Sequence, residues 1–341
     1  MRSNRNRGGM SCLALSLGLA LGLSMPGGPV QAAEFTMKLG SSSADDAESN
    51  FLAAMKSSIE ADSKGRIAVE LYPRGQLGSQ SAMIQGLQLG TIEGIHIPAD
   101  FFAGIDPRMG VLSFPFLFKD RRHANRVMGD AGLTKTIAEL LTAKGIVNCG
   151  PIATADVRYM LRGGIHKLAD FKGKKLRING TDAERERFKR LGATSVPMNL
   201  PDMISALQNG TIDGSGSGIT IWVNFKLESV SKELLQIEDT LIMSNCAMSK
   251  KWLDTLPQDL RDIVIKDSRS LYQKGIDLSD QYNDILTKKW EAVGGKTLHL
   301  DPAEQKEVRE KFATVGQTIT EGKPELRAFY NEIKAVSDKT Q

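Results

Sequence analysis

The sequence predicts an α/β protein built from two similar lobes, and three observations carry that prediction. Strand-like and helix-like segments alternate over most of the chain. The stretch Met83-Ile-Gln-Gly-Leu-Gln-Leu-Gly-Thr-Ile-Glu-Gly94 returns 120 residues later as Met203-Ile-Ser-Ala-Leu-Gln-Asn-Gly-Thr-Ile-Asp-Gly214, with eight of twelve positions identical. No low-complexity linker separates the two copies, so strands rather than a flexible tether should join the lobes. A single repeat at this distance is not a solenoid, which needs several copies at a short period. It reads as one helix-to-strand unit used once per lobe, and two lobes imply a cleft where a ligand can sit.

The elements follow in order. Phe35–Leu39 reads as a strand, and Ser43, Asp45 and Asp46 offer caps for a helix with Phe51, Leu52, Met55 and Ile59 on one face. Ile67–Tyr72 is a β-branched, apolar strand closed by Pro73. In the first repeat copy a short helix carries Met, Ile and Leu, Gly90 stands where a left-handed cap belongs, and Thr-Ile opens a strand continuing through Gly94–Pro98. Ser113–Phe118 is a short aromatic segment, Asp120–Lys144 a long helix and Ile146–Ile152 a strand. The second set has strands at Val157–Leu161, Lys174–Ile178 and Thr194–Met198, a charged helix over Asp182–Leu191, and then the second copy with Gly210 as cap. Leu234–Met248 is strand material that could cross back to the first lobe. From Gln258 to Val293 there is no Pro and one Gly, Gly275, with apolar residues at helical spacing. This is either one rod of roughly 50 Å, at 1.5 Å per residue, or two ordinary helices broken at Gly275.

The first 32 residues read as a secretory signal. Arg2, Arg5 and Arg7 precede the apolar run Cys12–Met25, which is short for a bilayer span, and Val30-Gln31-Ala32 supplies small residues for cleavage. Removing three arginines lowers the net charge from +4 to +1 (4 minus 3). That balance supports neither nucleic acid nor an anionic membrane as partner. Cys149 and Cys246 remain. Export makes a disulfide chemically possible, but two cysteines in apolar strand-like runs do not make a framework, and buried free thiols are the favoured expectation.

Catalytic signatures are sparse. His96, His123, His166 and His299 are scattered without metal-ligand spacing. Asp45, Asp46 and Glu48 sit where a helix N-terminus favours acids, so they read as capping residues rather than a cation site. Gly214-Ser-Gly-Ser-Gly218 is neither a nucleophile elbow, which needs Ser where Gly216 stands, nor a dinucleotide fingerprint, which needs Gly where Ile219 stands. Two arginines stand out because they lie within apolar strands: Arg158 in Asp-Val-Arg-Tyr-Met and Arg177 in Lys-Lys-Leu-Arg-Ile-Asn. A buried guanidinium needs a partner, and its planar fork matches a carboxylate. Taken alone, each reads first as a surface strand charge or an internal salt bridge.

These residues belong to an ordered set. Leu71-Tyr-Pro73, Gln76-Leu-Gly78, Gly110-Val-Leu112, Phe114-Pro-Phe-Leu-Phe118, Gly173-Lys-Lys-Leu-Arg-Ile-Asn179, Phe188-Lys-Arg-Leu-Gly-Ala193, Pro197-Met198, Ala206–Gly214, Ser229-Val-Ser-Lys232 and the Trp252, Leu256, Pro257 lead into a helix together resemble the DctP-like solute-binding proteins of TRAP transporters, from Ala33 to about Lys289. The resemblance implies the two-lobe periplasmic-binding-protein fold, with lobes joined by strands that close around a ligand and a long helix along both. The expected organisation is a first lobe over 33–155 with 243–257 returning to it, a second over 156–242 with 290–341 packed on it, and a spanning helix over 258–293.

The resemblance also implies periplasmic capture of a small, carboxylated solute and its delivery to small and large membrane subunits. Arg177 would bind the solute carboxylate and Arg158 would assist. The remaining expected ligand-binding residues are Ser217, Ser42, Pro98, Ala99, Leu200 and Trp222. Ser217 takes a place where the family often has Asn, Ile97-Pro98-Ala99 stand where some members carry an acid and Ser, and Leu200 takes a place where an aromatic is common, which together suggest a less polar pocket than that of sugar-acid binders. No cofactor or metal is expected, and the protein is expected to be a monomer. The alternatives are a periplasmic component presenting its ligand to a sensor, and a two-lobe periplasmic enzyme. The lack of a nucleophile–base constellation disfavours the enzyme.

Overall fold

A computed structural model describes residues 32–340, so nearly all of the export signal lies outside the described residues. The fold is assembled from two equivalent three-strand units. In the first, β1 (Phe35–Ser41) lies between β2 (Ile67–Tyr72) and β3 (Gly94–Pro98), all parallel, with α1 (Ala47–Asp62) and α2 (Gln80–Leu89) as connections. In the second, β5 (Lys175–Ile178) lies between β6 (Thr194–Pro197) and β7 (Gly214–Ser217), again parallel, with α5 (Asp182–Arg190) and α6 (Leu200–Asn209) between them. Two long antiparallel strands, β4 (Ile146–Leu161) and β8 (Glu233–Ser249), stand between the units, β8 pairing with β3 and β4 with β7. The sheet order is β2-β1-β3-β8-β4-β7-β5-β6, and β9 (Lys296–His299) pairs with the start of β8.

The repeat occupies the same place in both units, and its glycines and acids serve the same ends in each. Gly90 and Gly210 both end their helices at φ 76°, a left-handed conformation that costs glycine little. Glu93 accepts the backbone N–H of Lys38 at 2.7 Å, and Asp213 accepts that of Lys175 at 2.7 Å, so each acid pins the start of the neighbouring parallel strand. Gly94 and Gly214 begin β3 and β7. A Cβ on Gly94 would lie 2.5 Å from Leu39, and one on Gly214 would collide with the Met160 carbonyl. The strand thus opens at the second glycine rather than at Thr-Ile.

Several elements differ from expectation. The helix expected over Asp120–Lys144 is two, α3 (Arg121–Met128) and α4 (Ala131–Thr142), because Asp130 turns extended and caps the second through the Leu133 N–H. The strands expected at Ile146–Ile152 and Val157–Leu161 are one element, β4, which absorbs its irregularities as register shifts at Asn148/Gly150, Ala153/Ala155 and Asp156/Arg158. Cys149 and Cys246 form a disulfide, not free thiols: the shift at Asn148/Gly150 brings their Cα atoms to 5.1 Å on adjacent strands, inside the range a bridge requires.

The short helix α7 (Ile219–Asn224) follows β7, and after β8 come α8 (Lys250–Leu253), α9 (Gln258–Ser270) and α10 (Tyr272–Ala292). The expected rod is interrupted at Leu271, not at Gly275. Gly275 lies inside α10, where it allows the helix to approach Ile152 and Phe51. Leu278 of α10 joins the apolar cluster under α1, whereas Leu286 and Trp290 join the cluster formed by α6 and α7. The C-terminal helices α11 (Pro302–Phe312) and α12 (Val315–Thr320) pack on α5. The last helix, α13 (Pro324–Lys339), instead packs on the Pro107–Ser113 turn and α3, where Ser337 donates to the Leu117 carbonyl. The tail is therefore not confined to residues 156–242. Among the described residues no helix is long and apolar enough to cross a membrane.

Candidate functional site

A cavity with about 640 Å³ of free volume, part of it open to solvent, lies where the two units face each other across β4 and β8. The first unit contributes the β1–α1 loop and first turn of α1 (Ser42, Ser43, Asp46, Ala47, Glu48), with Gln80, Pro98 and Phe101 beside them. The second contributes Arg177 and Asn179 at the end of β5, Leu200, and the β7–α7 turn from Ser217 to Ile221. Thr154 and Ala155 of β4, Ile242 of β8, and Tyr282 and Asn283 of α10 complete the wall. The register shifts of β4 at Ala153/Ala155 and Asp156/Arg158 flank this floor. Two hydrogen bonds cross between the units: Asn224 donates to the Ala44 carbonyl at 2.6 Å, and Asn179 donates to Asp100 at 3.2 Å.

Arg177 is 4% exposed, and its Nε donates to the Met198 carbonyl at 3.0 Å. No carboxylate among the described residues lies within salt-bridge distance of it. Burial pulls its guanidinium down to about 10, while the more distant charges of Glu184 and Asp100 act the other way. The group still carries its charge at neutral pH, with its terminal nitrogens unpaired against protein. A buried cation in that condition is costly unless an anion joins it.

The other expected residues divide. Ser217, Ser42, Pro98 and Leu200 line the cavity with Arg177, and the Ser42 hydroxyl is buried without a partner. Arg158, Ala99 and Trp222 do not line it. Arg158 is in register with Ser217 on the neighbouring strand, yet its Nη2 donates to Thr287 of α10 at 3.1 Å, and its Nε and Nη1 have no partner. Ala99 is wholly buried at the start of a 3-10 turn. Trp222, on α7, is buried with Leu286 and Trp290 of α10, and its indole N–H donates to the Ser217 carbonyl at 3.2 Å and fixes that residue from behind.

Sequence reasoning missed Glu48. Only Asp46 caps α1, receiving the Ser49 N–H at 2.9 Å, and Asp45 pairs with Arg74 on the surface. Glu48 instead turns into the cavity wall and accepts from the Ser244 hydroxyl. The signal was its phase. Glu48 precedes Phe51 and Leu52 by three and four residues, which places it on the buried face of α1. Burial, then the neighbouring Asp46 carboxylate, push its carboxyl up to about 8 against the Ser244 hydrogen bond. Among the described residues no group of three or more His, Cys, Asp or Glu side chains could hold a metal ion.

Comparison with known proteins matches this architecture. A family model described as bacterial extracellular solute-binding protein, family 7 (DctP), covers residues 40–323. The 2,3-diketo-L-gulonate-binding periplasmic protein YiaO of Escherichia coli is 28% identical over 244 residues, covering 70% of this chain and 74% of its own. The sialic acid-binding periplasmic protein SiaP of Vibrio cholerae is 25% identical over 300 residues, covering 86% of this chain and 84% of its own. The crystal structure of the sugar acid binding protein DctPAm from Advenella mimigardefordensis, in complex with galactonate, has the same fold at a TM-score of 0.85 and 23% identity, covering 91% of this chain and all (100%) of its own. The family match runs through both three-strand units, both long strands and the helix across them: the chain belongs to the DctP family of bacterial extracellular solute-binding proteins, the solute-binding proteins of TRAP transporters.

Proposed function

We propose that this protein captures a small organic acid in the cavity between its two units, binding the solute carboxylate through Arg177, and hands it to the small and large membrane subunits of a TRAP transporter. The observation that carries this reading is the buried, unpaired guanidinium of Arg177 on the cavity wall. A carboxylate would supply the missing anion through a bidentate pair. Ser217 and Ser42 add hydroxyl contacts, and Leu200, Pro98 and Ile242 cover the carbon skeleton. Arg158 reaches the solute only by leaving Thr287, and so serves as a second, conditional donor. The relatives named for 2,3-diketo-L-gulonate and sialic acid, and the neighbour holding galactonate, favour acids of this kind.

The lobes of this reading are residues 33–155 and 156–242, swinging about β4 and β8, with the Asn224–Ala44 and Asn179–Asp100 contacts closing the mouth. The arginine-rich leader and the periplasmic relatives support a location outside the cytoplasmic membrane. It acts as a binding protein, without turnover. A thermal-shift screen of organic acids tests the proposal. At one hundred times its dissociation constant the right acid stabilises the fold by about 2.7 kcal/mol. Stabilisation by uncharged sugars or peptides, with none by any acid, would overturn it.

A further inference from the structure

We propose that Glu48 is a specificity-determining residue of this cavity, and that it selects a solute bearing a hydroxyl group at a distance from the carboxylate held by Arg177. The inference rests on the carboxylate reading of Arg177 given above, and it concerns the opposite wall.

The geometry fixes Glu48 from behind. Its Oε1 accepts from the Ser244 hydroxyl, and Ser244, itself fully buried, shares a second hydrogen bond of 2.9 Å with the Thr154 hydroxyl. The side chain is 8% exposed and lines the cavity, while Oε2 has no hydrogen-bond partner among the described residues. Arg177 reaches the same cavity from β5, in the other unit. One wall thus ends in a cationic fork and the other in a single oriented carboxyl oxygen.

The surroundings decide which form that carboxyl takes. On its own helix the nearest charge is the Asp46 carboxylate, which is already engaged by Ser43 and Ser49. From β3 comes His96, packed on Phe51 and fully buried; burial outweighs its contact with the Glu48 backbone and holds it down to about 4, so it is neutral. From β8 comes the Ser244 hydroxyl. From α10 comes Asn283, whose amide N–H groups are spent on the Thr154 and Ser279 carbonyls. No cation of the first unit offsets a negative charge at Glu48, and a carboxyl pushed up to about 8 keeps its proton at neutral pH. A neutral carboxylic acid offers one O–H donor and remaining acceptor capacity, the complement of an alcohol.

This arrangement ranks solute end groups. A hydroxyl satisfies Oε2. A methyl leaves a buried polar group unpaired. A second carboxylate brings its charge toward Asp46. An ammonium group requires Glu48 to ionise at the cost of its burial.

The test is calorimetric titration with γ-hydroxybutanoate, pentanoate, γ-aminobutanoate and succinate, and with the homologues one carbon longer, which differ mainly in the end group. Wild type should bind the hydroxy acid roughly tenfold or more tighter than the methyl analogue. Glu48→Leu should erase that difference. Glu48→Gln, an isostere of the neutral acid, should keep most of it, and circular dichroism confirms folding of each variant. Equal binding of hydroxy and methyl acids by wild type, a preference surviving in Glu48→Leu, or tightest binding of the ammonium or dicarboxylate member would overturn the proposal. Arg177→Ala separates it from the reading beneath it. If that variant weakens every member alike, the carboxylate assignment stands whatever Glu48 does. If it binds all as wild type does, the carboxylate assignment fails. If no member binds wild type, the Glu48 proposal falls, and the carboxylate assignment is decided by the thermal-shift screen of acids against uncharged solutes.

Discussion

Among the described residues three arginines are buried, and what each one touches separates scaffold from site. Arg187 donates to Asp239 at 2.6 Å and to the Tyr159 hydroxyl at 2.9 Å, and Tyr159 donates to the same carboxylate. Arg177 has a backbone carbonyl and no carboxylate, and Arg158 has one hydroxyl. Removing one partner of a buried ion pair strands the other charge and costs about 3–5 kcal/mol, whereas removing a buried charge that has no partner costs little. Asp239→Asn should therefore lower the urea unfolding free energy by about that amount, while Arg177→Met should leave it unchanged or raise it. A large loss of stability in Arg177→Met, or none in Asp239→Asn, would show that the roles are exchanged. The sequence distinguished Arg177 because it stands in an apolar strand, but Arg187 was hidden in a charged helix. Glu48 was read as a cap because acids at a helix start have an ordinary explanation. Only the β8 hydroxyl behind it and the cavity before it show otherwise.

At the scale of elements, the legible parts were those fixed by local chemistry. The helix-Gly-Thr-Ile-acid-Gly repeat could be read because each of its residues answers a local need: a left-handed cap, a carboxylate for the next strand's N–H, a glycine at a close crossing. The disulfide was not legible, because it depends on a register shift between strands 97 residues apart in sequence. Gly275 misled for a related reason. A glycine within a helical run signals a break when only propensity is considered, yet here the neighbours require it. A Cβ at Gly275 would lie 2.5 Å from Ile152 and 3.1 Å from Phe51. Gly-to-Ala in a helix is favourable by about 1 kcal/mol through propensity, but forcing extra volume into a packed core costs about 1–3 kcal/mol. Gly275→Ala should therefore lower the melting temperature despite the better helix former. A rise would mean that α10 does not press on β4 and α1 as described.

For the whole molecule, β4 and β8 carry the chain through both units, the Cys149–Cys246 bridge ties them together, and α10 packs on each unit through different residues. The cavity with its unpaired Arg177 lies between the two three-strand units. On the proposed reading, the charge on this wall is kept for a solute carboxylate. Calorimetric titration of wild type, Arg177→Lys and Arg177→Ala with an acid identified in the thermal-shift screen tests it most directly. Losing a charged, buried pair should weaken binding by on the order of a hundredfold or more in Arg177→Ala. Arg177→Lys should also lose much of the affinity, because an ammonium cannot copy the planar fork. A folded Arg177→Ala protein that binds the acid as tightly as wild type would contradict the account.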